Sequence, residues 1–530
     1  MAEANRTDSP AAPLPESPKR KPIRWWPALV ILALAATAVV GIRLWPTTSF
    51  QQKNIATAQV VVVTGLLGLL WGLFFSRLPW RIRLGVGGGV VGAIALMAGL
   101  FRIHGVTGDL LPILEWRWKQ PTTMAQPVGR RSPPTTHAEL LIQTTNDFPQ
   151  FLGPHRNATV TGPTLARDWK TQPPQKLWSQ PVGAAWSGFA VLGNYAVTQE
   201  QRGEEEMVVA YDLPTGKVRW SHADAAHYNT VIAGEGPRAT PTLASNRVYT
   251  LGATGILNCL DLATGERIWS KDIIKDNQAK VNGWGVSGSP LVLDQMVIVN
   301  AGGPNGRSLV AYAAATGDFI WGGGNAGADY SSPLPATLAG VRQILIFTGR
   351  ISAHEVGSGK VLWEYPWPGG HPHIAVPVIL PGDRVLVTSG YGTGSELLQI
   401  KNDADGKWSA ARIWKSIRLK AKFNNVVYRD GFIYGLDDGI LVCLDAADGA
   451  LKWKEGRYGH GQVILSGSLL LVTDESGDVV LVEPVPQEHR ELTRFPALHS
   501  KTWNPPALAG DYLVVRNDKE AACYRLPIAK

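Results

Sequence analysis

The residues best suited to hold a ligand lie in short segments that recur along the C-terminal part of the chain, next to glycines and prolines. Cationic and imidazole side chains in these segments attract anions, and their tryptophan rings can stack on a flat molecule. Convergent polar groups on an aromatic floor are typical of a small-molecule site. We therefore expect a small anionic ligand at these candidate binding residues: Arg238, Trp284, His373, Lys422, Asn424, His460, Gln462 and Trp503.

The same segments also have a purely structural interpretation. Polar side chains around a water-filled channel usually hydrogen-bond with one another and need no ligand. The sequence leaves both interpretations open. No arrangement of Ser, His and Asp marks a nucleophile, so we predict no catalytic residue. The acidic residues are scattered, and we expect them in turns and on solvated surfaces rather than in a metal site.

These segments alternate with a repeated motif, A-x-D-x-x-T-G-x-x-x-W, preceded each time by a β-rich run. Repetition at about 40 to 50 residues is typical of the four-stranded blades of a propeller. The glycine suits a turn that other residues resist, and the tryptophan offers a large side chain for burial against the neighbouring blade. The copies span residues 210–220, 259–269, 311–321, 353–363 and 443–453.

The number of blades follows from the aromatic residues that end each unit. The last strands, from about Trp503 to Leu526, lack such a tryptophan, whereas the segment QKLWSQ around Trp178 lacks inner strands. Joining the two termini in one blade removes the open sheet edges. We predict an all-β fold, an eight-bladed β-propeller, with seven blades as the alternative. The blade-ending residues are Trp178, Trp220, Trp269, Trp321, Trp363, Trp414, Trp453 and Phe495.

Three apolar runs precede the propeller, at residues 25–45, 57–78 and 84–101. Each is close to the length needed to cross a bilayer, and tryptophans lie at their ends, as in an aromatic belt. Basic residues before the first run and between the second and third place those segments in the cytoplasm. We expect a multi-pass protein of the bacterial inner membrane, with a cytoplasmic N-terminus and a periplasmic propeller.

The chain divides into four predicted regions. These are a disordered basic N-terminus (1–24), a three-span membrane anchor (25–118), a linker rich in Pro and Thr (119–146) and the propeller (147–530). Within the anchor, residues 105–118 are amphipathic enough to lie on the membrane surface. Gly87, Gly89 and Gly92 match G-x-G-x-x-G, but they fall inside an apolar run, where glycines let helices approach closely.

Charge and cysteine content argue against nucleic-acid binding and against covalently bound haem. The formal net charge of +8 is modest, and its basic residues cluster around the apolar runs, so we expect no nucleic-acid binding. The three cysteines, Cys259, Cys443 and Cys523, fall in different blades and read as small buried apolar residues. The sequence contains no C-x-x-C-H motif for covalent haem.

The repeat resembles that of the pyrroloquinoline-quinone-like β-propellers. This superfamily includes quinoprotein alcohol and glucose dehydrogenases and the propeller lipoprotein of the outer-membrane assembly machinery. The segment DFPQFLGPHRN (147–157) is similar to the start of many bacterial members. The resemblance implies the fold, and it implies two functions: quinone-dependent oxidation or protein scaffolding.

The dehydrogenase requirements are only partly present. Quinoprotein alcohol dehydrogenases carry two adjacent cysteines and bind calcium through acidic residues, whereas no cysteines are adjacent here and Asp329 is the only acid near the predicted strand starts. Membrane glucose dehydrogenases lack the cysteine pair and have a multispan anchor, but also longer propeller insertions. We therefore expect a non-enzymatic binding or scaffolding module for a protein or small anionic ligand. The alternatives are a PQQ-dependent membrane dehydrogenase passing electrons to the membrane quinone pool, or a membrane sensor.

Overall fold

The computed structural model describes residues 24–45, 50–118 and 143–529. The chain forms two compact units, one of residues Met1–Thr48 and Gln52–Arg102, the other of Ser49–Gln51 and Ile103–Lys530. The predicted N-terminal tail (1–24) and linker (119–146) fall outside the described residues except at residues 24 and 143–146.

The first unit contains three apolar helices: α1 (Trp26–Leu44), α2 (Phe50–Leu70) and α3 (Trp80–Leu100). A π-helical segment, Trp71–Phe75, extends α2. Their mean hydropathies of 2.1, 2.0 and 1.6, together with their lengths, suffice for crossing a membrane. Three apolar spans were predicted, and they are confirmed as helices. The G-x-G-x-x-G glycines lie inside α3 and not in a loop after a strand.

The second unit begins with a hairpin of two strands and continues almost entirely in strands. The elements before and within its first sheets are β1 (Phe101–Val106), β2 (Pro112–Trp116), β3 (Thr159–Val160), β4 (Gln175–Pro181), β5 (Ala190–Leu192), β6 (Tyr195–Arg202), β7 (Glu205–Asp212), β8 (Val218–Asp224), β9 (Asn229–Thr230), β10 (Gly234–Glu235), β11 (Thr242–Ala244), β12 (Arg247–Leu251), β13 (Ile256–Asp261), β14 (Arg267–Asp272), the short helix α4 (Ile273–Asp276), β15 (Leu291–Leu293), β16 (Met296–Gly303), β17 (Arg307–Ala313) and β18 (Phe319–Gly323).

The remaining strands continue the same pattern to the C-terminal end. They are β19 (Leu334–Leu338), β20 (Val341–Phe347), β21 (Arg350–Glu355), β22 (Val361–Pro366), β23 (Val378–Leu380), β24 (Arg384–Ser389), β25 (Gly394–Asn402), β26 (Trp408–Ser416), β27 (Val427–Arg429), β28 (Phe432–Asp437), β29 (Ile440–Asp445), β30 (Leu451–Arg457), β31 (Gln462–Ser466), β32 (Leu469–Thr473), β33 (Asp478–Glu483), β34 (Arg490–Pro496), β35 (Ala507–Ala509), β36 (Tyr512–Arg516) and β37 (Glu520–Arg525).

Apart from the two-stranded pairs β1–β2 and β9–β10, the described strands of this unit assemble into eight sheets, each of four consecutive antiparallel strands with two variations. The seventh sheet, β31 to β34, gains β3 as a parallel fifth strand. The eighth consists of β35, β36, β37 and β4, so it combines strands from both ends of the propeller region. The unit is therefore all-β and built from repeated four-stranded sheets, as a β-propeller requires.

A tryptophan in the last strand of a sheet joins that sheet to the next. The indole N–H of Trp220 donates to the carbonyl oxygen of Leu262 at 2.8 Å, and a Cβ at Gly265 would overlap the Trp220 ring. Gly265 also has a positive φ of 73°, so the turn needs glycine for two reasons. The same indole-to-carbonyl bond links Trp178 to Leu213, Trp269 to Ala314, Trp321 to Val356, Trp414 to Ala446 and Trp453 to Val485.

Trp363 departs from this pattern. Its indole N–H donates to the Gln343 side chain at 2.7 Å instead of to the next sheet. The corresponding turn glycine of the next sheet, Gly406, has no atom within 4 Å of its ideal Cβ position. The motif is degenerate at this turn because the tryptophan and glycine do not meet.

The cysteines lie opposite three of these tryptophans in the strand register. Cys259 faces Trp269, and Cys443 faces Trp453. Cys523 faces Trp178 across the eighth sheet. All three are free and buried, which confirms their interpretation as small core residues.

One predicted blade-ending aromatic residue was placed wrongly. The register of β33 and β34 puts Thr493 opposite Leu481, where the other sheets carry a tryptophan. Phe495 lies two residues further on and packs against Trp169, with ring centroids 5.4 Å apart. Strand β34 contains no tryptophan, so spacing alone points to its aromatic residue, Phe495, although the bulge lies at the same place in this sheet as in the others.

The starts of the first strands are linked from sheet to sheet by hydrogen bonds. Among these, the Thr240 amide donates to Ser289 Oγ at 3.0 Å, and the Ser289 amide donates to Ser332 Oγ at 2.9 Å. The other links join Gly188 to Thr240, Ser331 to Ala375, Val376 to Asn425, Gln462 to both Phe423 and Trp503, and Asn504 to Ser187. They connect each of the eight sheets to the next, and the eighth to the first.

The pairing of the two termini is confirmed. Strand β4 pairs antiparallel with β37, as predicted for the QKLWSQ segment. Arg516, only 1% exposed, extends from the eighth sheet and donates to Thr198 Oγ1, Gln199 O and Gly183 O at 2.7–2.9 Å. A buried guanidinium with several acceptors on the neighbouring sheet fixes this junction.

The segment DFPQFLGPHRN crosses the first strands of several sheets. Phe148 forms a bridge with Val191 of β5, and Pro149 accepts a bond from Leu243 of β11 at 2.8 Å. The buried Arg156 donates to Ser289 O at 2.9 Å. The segment then joins the seventh sheet through β3, so it ties distant sheets together.

Candidate functional site

Aromatic rings from different sheets meet where the first strands begin, a region that we call the axial funnel. Trp503 lies 4.9 Å, centroid to centroid, from both Trp186 and Phe423. Phe423 lies 5.6 Å from Trp284, which in turn lies 6.1 Å from Tyr330. These half-buried rings form a continuous aromatic floor. Two predicted site residues, Trp284 and Trp503, belong to it.

Glu475 organises the polar side of the funnel. Its carboxylate accepts the indole N–H of Trp503 at 2.9 Å and the main-chain N–H of His460 at 3.0 Å. The His460 ring lies 5.3 Å from Phe423. The Lys422 Nζ lies 5.7 Å from the same ring. The predicted residues Lys422 and His460 are thus brought together with Trp503.

Burial affects both ammonium groups of the funnel. It lowers the pKa of Lys422, although the negative charges of Asp109, Asp438 and Glu475 act in the opposite direction. It also lowers the pKa of Lys501, whose Nζ lies 4.1 Å from the centroid of the Trp503 ring. Buried cations of this kind are stabilised by a nearby anion. The funnel therefore favours a negatively charged occupant.

A tight turn of the same chain lies in the funnel. Lys422 Nζ donates to Gly108 O, and the Gly108 amide donates to Glu475, both at 2.9 Å. The Asp109 carboxylate lies 3.2 Å from His460 Nε2. Residues 105–118, whose amphipathic pattern predicts contact with the membrane surface, belong largely to the β1–β2 hairpin, whose turn bonds to the propeller.

His373 lies further along the same opening, beside an acid. Its Nδ1 lies 2.6 Å from Asp329 Oδ2, and its amide donates to Asp329 Oδ1 at 2.9 Å. This pairing orients the ring and leaves Nε2 buried without a hydrogen-bond partner among the described residues. Tyr330 connects the pair to the aromatic floor, since its amide donates to His373 O at 3.2 Å.

Arg238 is held against its own loop. Its Nη2 donates to Ala233 O and Gly234 O, and its guanidinium lies 4.5 Å from the Tyr228 ring. Burial lowers the pKa of Arg238 to about 10. The opposite nitrogen, Nη1, has no hydrogen-bond partner in the described part of the chain.

Asn424 and Gln462 have opposite roles. The Gln462 amide nitrogen donates to Phe423 O at 2.8 Å and to Trp503 O at 2.9 Å, so this predicted ligand residue joins its own sheet to the sheets on both sides. Asn424 is fully buried, yet neither of its amide atoms is bonded within the described chain. Unbonded buried polar atoms are costly, and they mark where a water or ligand would bind.

The donor set fits calcium-bound quinone poorly. Asp329 is already bonded to His373 and Tyr330, and Glu475 to Trp503 and His460. No group of three or more His, Cys, Asp or Glu suited to a metal occurs in the described ranges, whereas calcium takes six to eight oxygen ligands. The cysteines lie in separate sheets.

The sequence prediction missed Glu475, Asp109 and Lys501. Glu475 follows β32, and the turn after the second strand of an antiparallel sheet lies at the same end as the start of the first strand: Gln462 pairs with Thr473. Polar residues in that turn were therefore a usable signal. No comparable local signal placed Asp109 beside His460.

The chain is similar to the proteins of one family. A family model described as "Outer membrane protein assembly factor BamB", from the PQQ_2 repeat family, matches residues 156–281 and 204–455, which together span more than half of the chain. BamB of Shewanella oneidensis is 23% identical over 358 residues, covering 64% of this chain and 86% of that protein. BamB of Moranella endobia is 22% identical over 329 residues, covering 57% and 78%.

Solved structures share the fold. The quinohemoprotein alcohol dehydrogenase of Comamonas testosteroni superposes with a TM-score of 0.51 at 13% identity, covering 73% of this chain and 81% of that one. At this identity the likeness concerns the fold alone. From the family match and the repeated tryptophan-bearing sheets, we conclude that this chain belongs to the BamB-type family of PQQ-like β-propeller repeat proteins.

Proposed function

We propose that the protein is a binding and scaffolding module, displayed in the periplasm by a three-span anchor in the inner membrane with its N-terminus in the cytoplasm. The apolar helices and the basic residues flanking them support this topology. We further infer that the eight sheets are the blades of one ring, rather than seven. The cycle of hydrogen bonds between their first strands supports this count.

The observation that carries the binding role is a set of unbonded buried polar atoms around the axial funnel. Such atoms are present on Arg238, His373, Asn424 and His460, each without a hydrogen-bond partner within the described residues. His460 packs against Phe423 of the aromatic floor, Asn424 follows Phe423 in the sequence, and the Lys422 ammonium lies beside the same ring. A protein segment or small molecule that carries an anionic group would satisfy the polar atoms and stack on the rings.

A protein partner is favoured by the relatives. The curated proteins that this chain matches are named as assembly factors for outer membrane proteins. We extend only the general role to this chain, as a scaffold that holds another protein. The poor donor set for calcium argues against the dehydrogenase alternative.

Site-specific photo-crosslinking in the expressing bacterium would test the proposal. A crosslinking residue at Trp503, in the funnel, should give a discrete adduct that is lost when Lys422→Met is added. The same group at Ile413, exposed on strand β26, is the matched control and should give no such adduct. Equal products at both positions would contradict a funnel-directed partner.

A second experiment distinguishes the scaffolding role from the dehydrogenase alternative. Full-length protein in detergent would be titrated with pyrroloquinoline quinone and calcium, and assayed for dye reduction. We expect no saturable, quinone-dependent activity. Activity that disappears on Arg238→Ala and Trp284→Ala would overturn the proposal in favour of a dehydrogenase.

A further inference from the structure

The contacts of the hairpin turn point to a specific ligand class, an inference that rests on the binding function proposed above. We infer that the axial funnel recognises a peptide turn in which glycine precedes aspartate. We also infer that the chain's own turn, Thr107–Leu110, is the resident occupant that a partner protein must displace. The partner would present the same Gly-Asp chemistry on an exposed loop.

The hairpin forms a closed turn before it meets the funnel. The amide of Leu110 donates to Thr107 O at 2.9 Å, and the amide of Thr107 donates to Leu111 O at 2.9 Å. Leu110 takes a positive φ of 57°. Gly108 and Asp109 therefore occupy the two central positions of a β-turn, where their peptide groups and side chain face outward from the hairpin.

The funnel binds this turn largely through main-chain atoms. Lys422 donates to Gly108 O at 2.9 Å, and Lys501 donates to Val106 O at 3.1 Å. Glu475 accepts the Gly108 amide at 2.9 Å. Three buried or half-buried charged groups that bond to peptide N–H and C=O groups recognise a backbone, not a particular long side chain.

Glycine is required by the space beside His460. A Cβ at position 108 would overlap the His460 imidazole ring. Gly108 is not in the positive-φ region, so the restriction is steric rather than conformational. Gly105 differs, because its ideal Cβ position would lie 3.7 Å from Lys501 Nζ, an ordinary contact. The two glycines therefore provide a blocked position and a matched permissive one.

Aspartate is selected by charge. The Asp109 carboxylate lies 3.2 Å from His460 Nε2. Burial alone would raise the pKa of Asp109, but the hydrogen bond with His460 and the charges of His460 and Lys422 hold it below its usual value. The site thus stabilises an ionised carboxylate, which also offsets the burial of the Lys422 ammonium.

The chain's own turn competes with a partner's loop for the funnel and so lowers the apparent affinity for the partner. A tethered turn acts at an effective concentration of about millimolar, so a free peptide with the same contacts binds the intact protein weakly. Removing the turn from the funnel without changing the funnel residues should raise the affinity for the peptide. This gain in affinity is expected only if the funnel recognises the turn itself.

The test uses full-length protein in detergent and a fluorescent peptide of sequence IHGVTGDLLPILEW, copied from residues 103–116. Fluorescence anisotropy should show binding to Gly108→Val that is at least about tenfold tighter than to the wild type. Gly105→Ala should match the wild type. Asp109→Asn, which keeps the shape of the turn, should give an intermediate gain. Adding Lys422→Met to Gly108→Val should abolish the gain.

Three outcomes would overturn the inference. The first is that Gly108→Val and Gly105→Ala bind the peptide equally while both melt as the wild type does. The second, which applies if Gly108→Val fails to fold, is that Asp109→Asn binds the peptide no more tightly than the wild type; the third is that a peptide with asparagine at the position of Asp109 binds as tightly as the original peptide. A Trp503 photo-crosslink that forms equally in wild type and Gly108→Val would support the scaffolding role but contradict recognition of the turn. Absence of the crosslink from every variant would contradict the scaffolding role instead.

Discussion

The Trp220 indole ring occupies the space that the Cβ of any residue other than glycine would need at position 265. Trp220 ends one repeat and Gly265 lies in the turn of the next. The glycine and tryptophan of the motif are therefore two halves of one contact between consecutive sheets. The same relationship joins Trp178 to Gly216, Trp269 to Gly317, Trp321 to Gly359 and Trp414 to Gly449.

Replacing Gly265 with alanine should destabilise the propeller through both conformation and space. The positive φ of 73° costs a non-glycine residue about 1–2 kcal/mol, and overpacking against Trp220 adds about 1–3 kcal/mol. Gly406→Ala is the matched control, because Gly406 has a φ of 75° but no neighbour within 4 Å. Thermal unfolding should show a clearly larger loss for Gly265→Ala. Equal losses would mean that the contact contributes nothing.

Glu206 should make stability depend on pH. The side chain is 5% exposed, and burial raises its pKa to about 7, from a usual value of 4.5. The native state therefore retains a proton that the unfolded chain releases, so the stabilisation present below pH 4.5 is lost as the pH rises through about 7. Glu206→Gln should melt like the wild type near pH 5 and above it near pH 8.

The neighbouring Glu205 provides the control for that experiment. It is exposed, so Glu205→Gln should leave the pH dependence of melting unchanged. If Glu206→Gln and the wild type keep parallel melting curves from about pH 5 to 8, Glu206 is not the titrating group.

The three cysteines should be unreactive in the folded protein. Burial raises the pKa of Cys259 and Cys443 to about 11 and that of Cys523 to about 12. Because the thiolate is the reactive form, a disulfide reagent near pH 8 should label none of them until the protein is unfolded, and then all three. Single Cys→Ala variants assign any thiol that reacts early. Rapid labelling of the native protein would contradict this burial.

Much of the fold could be predicted because its signals are local. The turn glycine and tryptophan lie within a single motif copy, and the small residue opposite each tryptophan is part of the same copy. The positions of the first strand starts follow from these repeats. The exception is Phe495, because β34 contains no tryptophan and its aromatic residue lies two positions beyond the one that faces Leu481.

The site was harder to predict because its contacts are distant in sequence. Asp109 and His460 are separated by 351 positions, and no periodicity connects them. The Thr-Gly-Asp segment between two apolar runs was a hairpin signal, but the amphipathic pattern was interpreted as membrane contact. Gln462 looked like a ligand residue because the sequence cannot distinguish an amide that bridges strands from one that faces a ligand.

The pairing of β4 with β37 has a consequence for biosynthesis. Strand β4 is synthesised before its partner, Glu520–Arg525, and the strands of the other seven sheets lie between them in the chain. Until then β4 presents an unpaired edge, the kind of surface that promotes aggregation or recruits chaperones. The eighth sheet therefore cannot close until β37 has been made, and removal of β37 would leave β4 without its strand partner.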